Sequence, residues 1–495
     1  MPPMPDRISF AFALLLLAGL LIPPPAPVSG QVTTGEYAER RAALATAIGD
    51  GLVLALGNAA PPQDYIPFHQ NSLFRYLTGF TEPDAALVMV IEGGETIEVL
   101  FVNPRDPGRE TWEGLRMGPE RSEAETGLPG RSVTDLTAVM DSLLQHHSEL
   151  RVVGPYQPGA PVLNDVTQRV DALVDRHDGV RVRPINQQVN ALRAIKSEGE
   201  RELLRRTVAI TVEAHRQAAL RLAPGRNEFE IQAAIEATFR RYGSERPAFA
   251  SIVGSGPNST ILHYNANDRF MEDGDVVVID IGASLGGYAA DVTRTYPVNG
   301  RFTPEQRDIY QLVRDAQAAA EAIVAPGVGM VRMNAEASRV LAEGLAELGL
   351  IESPEAVFEV APGQFAPQLR LFYMHGLGHG IGLDVHDPAP EPLEPGAAFS
   401  IEPGLYVRPN LLDEVIADTP ANRRMIEAIR PAFERYRGIG VRIEDDYLLT
   451  EEGLEWLSPA PREIEELEAL LATPHADEDR NEEWIEWYRQ HLAGK

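Results

Sequence analysis

The segment 275–295, DVVVIDIGASLGGYAADVTRT, decides the fold because it joins two apolar, β-branched runs through a glycine-rich centre. This pattern predicts two antiparallel strands connected by a tight turn at 284–287. With the turn centred in the middle of 284–287, Asp280 lies directly opposite Asp291. Side chains in such a pair have Cβ atoms about 4.5–5.5 Å apart, and like charges there destabilise the sheet. Two carboxylates so placed need a cation or a shared proton, unless a β-bulge shifts the register and leaves both solvated.

The same segment contains a Gly-x-Ser-x-Gly match around Ser284, the pattern of a serine-hydrolase nucleophile. That nucleophile requires a sharp turn from a strand into a helix. Because this serine lies in a turn between two predicted strands, the sequence disfavours a serine hydrolase.

Three of the eleven histidines fall in MHGLGHGIGLDVHD, at His375, His379 and His386. Glycine at alternate positions opposes a helix and therefore a helical zinc-protease motif. It favours an extended segment that another backbone or a substrate approaches closely. A single buried histidine usually has a structural role, but three beside glycines and aspartates indicate metal ligands or acid–base groups.

Two glutamates occupy predicted strands further along the chain, Glu402 in SIEPGLYV and Glu444 in GIGVRIEDDYLLT. A core-facing acid is costly unless it is paired or binds a metal ion, although either glutamate alone is more often exposed. By the two-residue period of a strand, Arg442, Glu444 and Asp446 share one face. With His379 and the hairpin aspartates, the glutamates form an oxygen-rich ligand set that suits Mn²⁺ and can bridge two ions.

The composition excludes several other kinds of site. The 495-residue chain has no cysteine, which excludes disulfides, thiol nucleophiles, iron–sulfur clusters and cysteine-bound zinc. Lys196 and Lys495 are the only lysines, so no Walker-type phosphate loop exists and a pyridoxal Schiff base would fall on Lys196. The formal net charge of −29 repels nucleic acid and attracts peptide amines, although acidity also serves solubility alone.

The chain divides into four predicted parts. Residues 1–30 contain an apolar run followed by prolines and small residues, which predicts a cleaved signal peptide, with an uncleaved anchor as the less favoured alternative. We therefore expect a periplasmic or secreted protein without a stable membrane anchor. Residues 31–190 predict a small α/β domain, and 191–460 predict a domain of capped helices and glycine-punctuated strands. The acid-rich tail, 461–495, predicts surface helices that pack aromatic side chains onto the body.

The chain resembles the metallopeptidases of the pita-bread fold, and among them the Xaa-Pro aminopeptidases, or aminopeptidase P. The matching residues are Asp280 and Asp291 in VIDIGASLGGYAADVTRTYPV, His379 in HGLGHGIGLDVHD, Glu402 in IEPGLYV and Glu444 in GIGVRIEDD. Upstream, NSLFRYLTGFTEPDAALVMV and NPRDPGRETWEG are similar to the amino-terminal domain of aminopeptidase P and prolidase. The resemblance covers nearly all of 36–455 and implies an α+β fold, with a pita-bread catalytic domain after a smaller α/β domain.

The resemblance implies two divalent metal ions, with Mn²⁺ expected and Co²⁺ or Zn²⁺ as alternatives. Asp280 would bind one ion, and His379 and Glu402 would bind the other. Asp291 and Glu444 would bridge both ions.

The family's substrate and transition-state contacts match two further histidines, His263 in VGSGPNSTILHYN and His386 in LDVHD. Glu402 is the expected catalytic proton carrier between the attacking water and the proline nitrogen. Positions in or behind the family's substrate pocket match His375, Tyr406 and Arg442.

The implied activity is removal of the first residue from peptides with proline in second position, by attack of a hydroxide that bridges the two ions. Prolidase, which prefers Xaa-Pro dipeptides, is the nearest alternative. A non-catalytic peptide-binding homologue is a distant one, because all five ligands are retained, and creatinase-like enzymes lack this metal set. The expected partners are Xaa-Pro peptides rather than nucleic acid, and the family suggests a homodimer or homotetramer.

One departure from the family lies at 407–437, between Glu402 and Glu444. This stretch is longer than expected and contains a helix-like segment, TPANRRMIEAIRPAFERY. We expect an inserted helix there that remodels either the rim of the substrate pocket or a subunit contact.

Overall fold

A computed structural model describes residues 32–159, 164–473 and 481–491. The predicted signal peptide lies outside these described residues. Within them, no helix has both the length and the apolar character needed to cross a bilayer.

The amino-terminal part of the chain is built on one mixed sheet. Its strands are β1 (Gly51–Leu56), β2 (Ala86–Glu92), β3 (Glu95–Val102), β4 (Gly130–Ser132), β5 (Glu149–Val153) and β6 (Arg181–Pro184). They form a six-stranded sheet in the order β4-β3-β2-β1-β5-β6, in which β1 pairs antiparallel with β2 and parallel with β5. The helices are α1 (Thr34–Ile48), α2 (Ser72–Thr78), α3 (Pro107–Glu113), α4 (Pro119–Thr126), α5 (Leu136–Leu144), α6 (Asp165–Val174) and α7 (Asn186–Arg193).

Both faces of this sheet are buried, as the unbroken apolar sequence of β1 requires. Leu52 and Leu54 belong to an apolar cluster that includes residues of α5 and α6. The alternate residues Val53 and Ala55 belong to a second cluster on the opposite face, together with Leu204 from the following domain. This second cluster includes residues of α1, α2 and α7 and continues into the following domain.

The remaining chain combines long helices with short, irregularly paired strands. Its helices are α8 (Glu198–Ala219), α9 (Glu228–Arg241), α10 (Pro304–Glu321), α11 (Met330–Glu347), α12 (Pro420–Tyr436), α13 (Ile464–Leu471) and α14 (Glu482–His491). Its strands are β7 (Arg246–Pro247), β8 (Ile252–Ser255), β9 (Val276–Ile281), β10 (Ala283–Leu285), β11 (Tyr288–Ala289), β12 (Val292–Pro297), β13 (Val357–Ala361), β14 (Gln364–Pro367), β15 (Ala398–Ile401), β16 (Gly404–Tyr406), β17 (Gly440–Arg442), β18 (Asp445–Thr450) and β19 (Gly453–Trp456).

The strands of this second region form small sheets. Three of these sheets have the orders β12-β9-β8, β11-β10-β7 and β15-β18-β19, and β16 pairs with β17. The helix predicted within 407–437 is α12, which starts after a Thr419 side chain that accepts the Asn422 N–H. Near the carboxyl end, Tyr488 of α14 packs edge-on against Phe229, at 4.9 Å between ring centroids.

The predicted hairpin forms, but its register differs from the prediction. Asp280 lies opposite Thr293, so the prediction that it opposes Asp291 was wrong. The physical reason is the turn: Gly286 and Gly287 both take positive φ, 59° and 85°, so the two-residue turn lies one position later than expected. This moves each partner by two residues, an even shift that leaves both aspartates on the same face.

The other face of the hairpin packs on α8 and joins the apolar cluster that lines one face of the amino-terminal sheet. Tyr288, Ala290 and Val292 join the same apolar cluster as Val53 of β1. Because side chains alternate along the strand, burying these residues turns Asp291 to the opposite side. The interface between the two parts of the chain thus determines where the hairpin carboxylates point.

Candidate active site

The site lies where several short strands end close together. Asp280 is on β9, Asp291 lies between β11 and β12, and Glu402 directly follows β15. Glu444 lies between β17 and β18 and pairs through its backbone with Thr293 of β12. Breaks in the strand pairing let carboxylates from separate sheets converge on one place.

The His379 imidazole faces three of the predicted ligands. Its Nε2 lies 3.5 Å from Asp291 Oδ2 and 3.7 Å from both Glu402 Oε1 and Glu444 Oε1. Its Nδ1 lies 3.1 Å from the Gly380 carbonyl, so in the neutral ring the proton is on Nδ1 and the Nε2 lone pair faces the carboxylates. Acceptors that face one another in this way require a cation between them.

Asp280, the fifth predicted ligand, is held by a network of buried side chains. Arg442 donates one N–H to Asp280 and its Nε–H to Thr293 Oγ1, at 3.2 Å. The Thr293 hydroxyl in turn donates to Glu444 Oε2, at 2.8 Å. This network connects Asp280 to Glu444 and fixes both carboxylates.

Several carboxylate oxygens in the site are buried without a hydrogen bond. Within the described part of the chain, Asp280 Oδ1, Asp291 Oδ1, Glu444 Oε1 and the neighbouring Asp446 Oδ1 have no partner. Ligand atoms of Asp291, His379 and Glu444 lie within 4.8 Å of one another. Unpaired buried oxygens around an imidazole match the donor set of a divalent cation, so these residues fit a metal site.

The electrostatics point the same way. Burial, and then the charge of Glu444, raise the pKa of Asp291 and that of Glu402 well above their ordinary values. Burial and the charge of Asp280 raise the pKa of Glu444 as well. The charged carboxylates repel one another in a region of low dielectric, and bound cations relieve that repulsion.

His375 is held by hydrogen bonds behind this cluster. Its Nε2 lies 2.9 Å from the hydroxyl of Tyr406, which also accepts an N–H from Arg442 at 2.9 Å. Burial lowers the pKa of His375 to about 4 and raises that of Tyr406 to about 12, so both are neutral near pH 7. Tyr406 is fully buried, and its hydroxyl joins His375 to Arg442.

The two remaining predicted histidines lie on the open side of the site. The His386 ring centroid is 4.1 Å from that of His379, and the His386 side chain is exposed. Burial, then the charges of His379 and His263, lower the pKa of His386. The carbonyl of Leu262 accepts an N–H from Arg442 at 3.4 Å, which places the adjacent His263 beside the site. His263 is exposed in the segment after β8.

Two contributors to the site were not predicted. Thr293 links Arg442 to Glu444, and the two-residue period from Asp291 would have identified it. Ser400 accepts the backbone N–H of His379 through its hydroxyl, at 3.3 Å, and no sequence signal indicates it.

Asp446 lies on the face that the strand period predicted, and its Oδ2 accepts the Asp291 N–H at 3.0 Å. Ser284 is a buried residue of strand β10. It therefore does not occupy the strand-to-helix turn that a serine nucleophile needs.

Comparison with known proteins identifies the two parts of the chain. The sequence profile of metallopeptidase family M24 matches residues 202–451, and that of the aminopeptidase P amino-terminal domain matches 37–153. This confirms the predicted arrangement of an amino-terminal domain followed by a metallopeptidase domain.

Individual relatives agree with these matches. The Xaa-Pro aminopeptidase of Escherichia coli is 35% identical over 89% of this chain and 98% of its own length. The human Xaa-Pro dipeptidase is 30% identical over 86% of this chain and 90% of its own. The structure of proline aminopeptidase P II from Yersinia pestis, 32% identical, covers 89% of this chain and all of that one, with a TM-score of 0.76. The chain therefore belongs to metallopeptidase family M24, with an aminopeptidase P amino-terminal domain before its catalytic domain.

Proposed function

We propose that the protein is an Xaa-Pro aminopeptidase that removes the first residue from peptides with proline in second position. The observation that carries the proposal is the convergence of Asp291, Glu402 and Glu444 on the His379 imidazole in a family M24 chain. The excess of acidic residues favours the free amine at the start of such peptides.

The residues that would hold the metal are the five ligands. Asp280 would bind one ion, His379 and Glu402 would bind the other, and Asp291 and Glu444 would be shared. Mn²⁺ is the proposed metal because carboxylates dominate the set, with Co²⁺ and Zn²⁺ as alternatives. When bound, two divalent ions polarise the carbonyl of the peptide and acidify the attacking water.

The protein's own residues move the proton and bind the substrate. Glu402 takes a proton from the water and delivers it to the proline nitrogen, which carries no hydrogen in the peptide and needs one to depart. His263 and His386, on the open side, donate hydrogen bonds to the oxyanion. His375 lines the pocket, held there by Tyr406.

Two alternatives are less favoured. A prolidase would use the same ligands, but the aminopeptidase relative is more similar, at 35% identity against 30% for the dipeptidase. A non-catalytic peptide-binding protein would have no reason to keep buried acids without partners around one imidazole. Export by the predicted signal peptide and assembly into a homodimer or homotetramer complete the proposal.

The test compares three substrates with purified full-length protein, before and after chelation and with Mn²⁺ restored. The tripeptide Xaa-Pro-Yaa is expected to be cleaved before proline only when metal is present, with an Xaa-Ala-Yaa tripeptide as control. Cleavage of the Xaa-Pro dipeptide alone would establish a prolidase. Cleavage of none of the three would contradict the proposal.

A further inference from the structure

The connector between the two domains carries two buried cations that the mechanism does not use. Lys196, one of two lysines in the chain, has a fully buried side chain, and the Arg193 side chain is 4% exposed. A buried ammonium is unfavourable unless its hydrogen bonds are all made. Lys196 Nζ makes all three, to the Arg193 carbonyl at 2.7 Å, to Asp387 Oδ2 at 2.6 Å and to the Pro388 carbonyl at 3.3 Å.

Both cations bind the residue next to His386. Asp387 pairs with Lys196 through Oδ2 and with Arg193 through Oδ1. Its Oδ1 also accepts the backbone N–H of Asp384, at 3.1 Å, which closes the loop on the other side of His386. The buried carboxylate of Asp387 thus holds the loop that carries His386.

The same aspartate is tied to the metal-ligand segment through its backbone. The Asp387 N–H donates to the Gly380 carbonyl at 2.8 Å, and Gly380 directly follows His379. No Cβ would fit at Gly380, because it would lie 2.3 Å from the Asp387 carbonyl oxygen. The two chain segments that carry His379 and His386 therefore have a fixed separation.

The amino-terminal domain also reaches this loop. Ser72, at the start of α2, donates its hydroxyl to Asp384 Oδ1 at 2.5 Å, and Arg193 holds Asp384 Oδ2 at 2.7 Å. If Lys196 and Arg193 only joined the two domains, their anionic partners could lie anywhere on the interface and would not need to lie in the loop that carries the exposed His386. Here every side-chain acceptor of the two cations belongs to Asp384, Asp387 or Asn190, and the first two flank His386.

We propose that Lys196 and Arg193 are positioning residues that act through Asp387 to aim the His386 ring beside His379. The inference rests on the proposed function for the role of His386, while the geometry it describes does not. The connector between the domains thereby contributes to catalysis. The amino-terminal domain contributes as well, because its Ser72 holds the same loop at Asp384.

The experiment uses Lys196→Met, which removes the charge at similar volume, in the full-length Mn²⁺-loaded protein. We expect kcat for Xaa-Pro-Yaa to fall about tenfold or more, with KM and bound metal unchanged, because displacing a catalytic group is sufficient for such a loss. In a His386→Ala background the same substitution is expected to cost little further. An equal loss in both backgrounds would overturn the inference.

A second readout does not depend on activity. The readout is the ¹H–¹³C NMR spectrum of Zn²⁺-loaded protein with ¹³C-labelled histidine, in which the His386 ring signal is assigned by its loss in His386→Ala. The chemical shift of this His386 signal is expected to change in Lys196→Met. If the wild type cleaves no Xaa-Pro peptide, the proposed function fails while this signal still decides the positioning role. A folded Lys196→Met with an unmoved signal would contradict it.

The matched control is Arg41→Met, which removes another buried cation, paired with Glu98 at 3.0 Å in the amino-terminal domain. It is expected to lose stability but to keep kcat and the His386 signal. If Lys196→Met does not fold, Lys196→Arg replaces it, since it keeps the buried charge but changes the position of the donor at Asp387 Oδ2. Its His386 signal is expected to move, and an unmoved signal would overturn the inference.

Discussion

The two faces of one strand segment, Glu444 to Asp446, show opposite ways of burying charge. Asp445 points away from the metal ligands and is fully satisfied by Arg294 at 2.6 Å, Arg462 at 2.8 Å and the Ser458 hydroxyl at 2.6 Å. Although burial raises the pKa of Asp445, these partners hold it lower, at about 2.

Its neighbours Glu444 and Asp446 each have a buried oxygen without a partner, and burial raises the pKa of both. The comparison separates structure from function. A buried acid whose oxygens are all paired, such as Asp445, serves the fold, whereas an acid that keeps an unpaired buried oxygen, as Asp280 does even beside Arg442, is open to a ligand. The sequence places the three acids side by side, and the two-residue period assigns them to opposite environments.

The largest effect is expected on the unsatisfied face. Asp291→Ala or Glu444→Ala should abolish metal binding and turnover together, because each removes a ligand that the proposed site shares between both ions. Metal analysis after gel filtration and cleavage of Xaa-Pro-Yaa measure the two losses. Glu452→Ala, in the exposed turn after β18, is the control and should change neither. Full activity in either ligand variant would refute the bridging assignment.

The satisfied face should respond in stability instead. Asp445→Asn leaves Arg294 buried without its anion, and breaking one half of a buried pair costs about 3–5 kcal/mol. Chemical denaturation of metal-free protein measures this loss in the free energy of unfolding. Glu444→Gln is the paired control, since it removes a repelled charge and should cost far less. Equal losses from both substitutions would break the comparison.

The open side of the site should affect turnover without affecting metal. His386→Ala is expected to lower kcat by about 100-fold, as removal of one oxyanion donor does, while the metal content stays constant. His263→Ala should behave in the same way. The exposed His146, at the end of α5, provides a matched histidine whose replacement leaves kcat unchanged. Loss of metal in His386→Ala would show that it is a ligand.

The smallest expected effect is on the pH dependence of the free energy of unfolding. This dependence has opposite signs for Asp445 on one face of the segment and for the carboxylates around Glu444 on the other. The lowered pKa of Asp445 means that its contribution is present above about pH 4 and is lost as the pH falls toward 2. Asp291, Glu402 and Glu444 have raised pKa values, so metal-free protein should become less stable as the pH rises above about 5.

Denaturation of chelated protein between pH 5 and pH 8 measures the second effect. The free energy of unfolding is expected to fall as the pH rises, because unfolding releases a proton from this cluster. Glu444→Gln should flatten the profile, and saturating metal should reverse it. A profile that is already flat in the chelated wild type would argue that the acids on this face do not repel one another.

The convergence of these acids on His379 was predictable because each residue lies in a short segment whose residue types carry the chemistry. The two-residue period of a strand is enough to place Asp280 and Asp291 on one face. That prediction was therefore correct although the predicted register was wrong. The register itself depended on the backbone conformations of Gly286 and Gly287, and glycine permits several turns in sequence.

Other parts of the site were beyond sequence reasoning because they join distant segments. Lys196 and Asp387 are 191 positions apart, and neither belongs to a recognisable motif with the other. The Arg442 contact with Tyr406 likewise depends on how β16 and β17 pair. Local patterns predict what a residue offers, whereas such contacts require knowledge of the assembled sheets.

The apolar cluster that contains Val53, Val292 and Leu448 crosses from the amino-terminal sheet to the strands beside the carboxylates. Separating the two domains would expose this cluster to water on both sides. The two halves are therefore expected to unfold as one cooperative unit, and neither is expected to be stable when transferred alone. An amino-terminal domain exchanged from a relative would have to bring a matching apolar surface before the enzyme regained its activity.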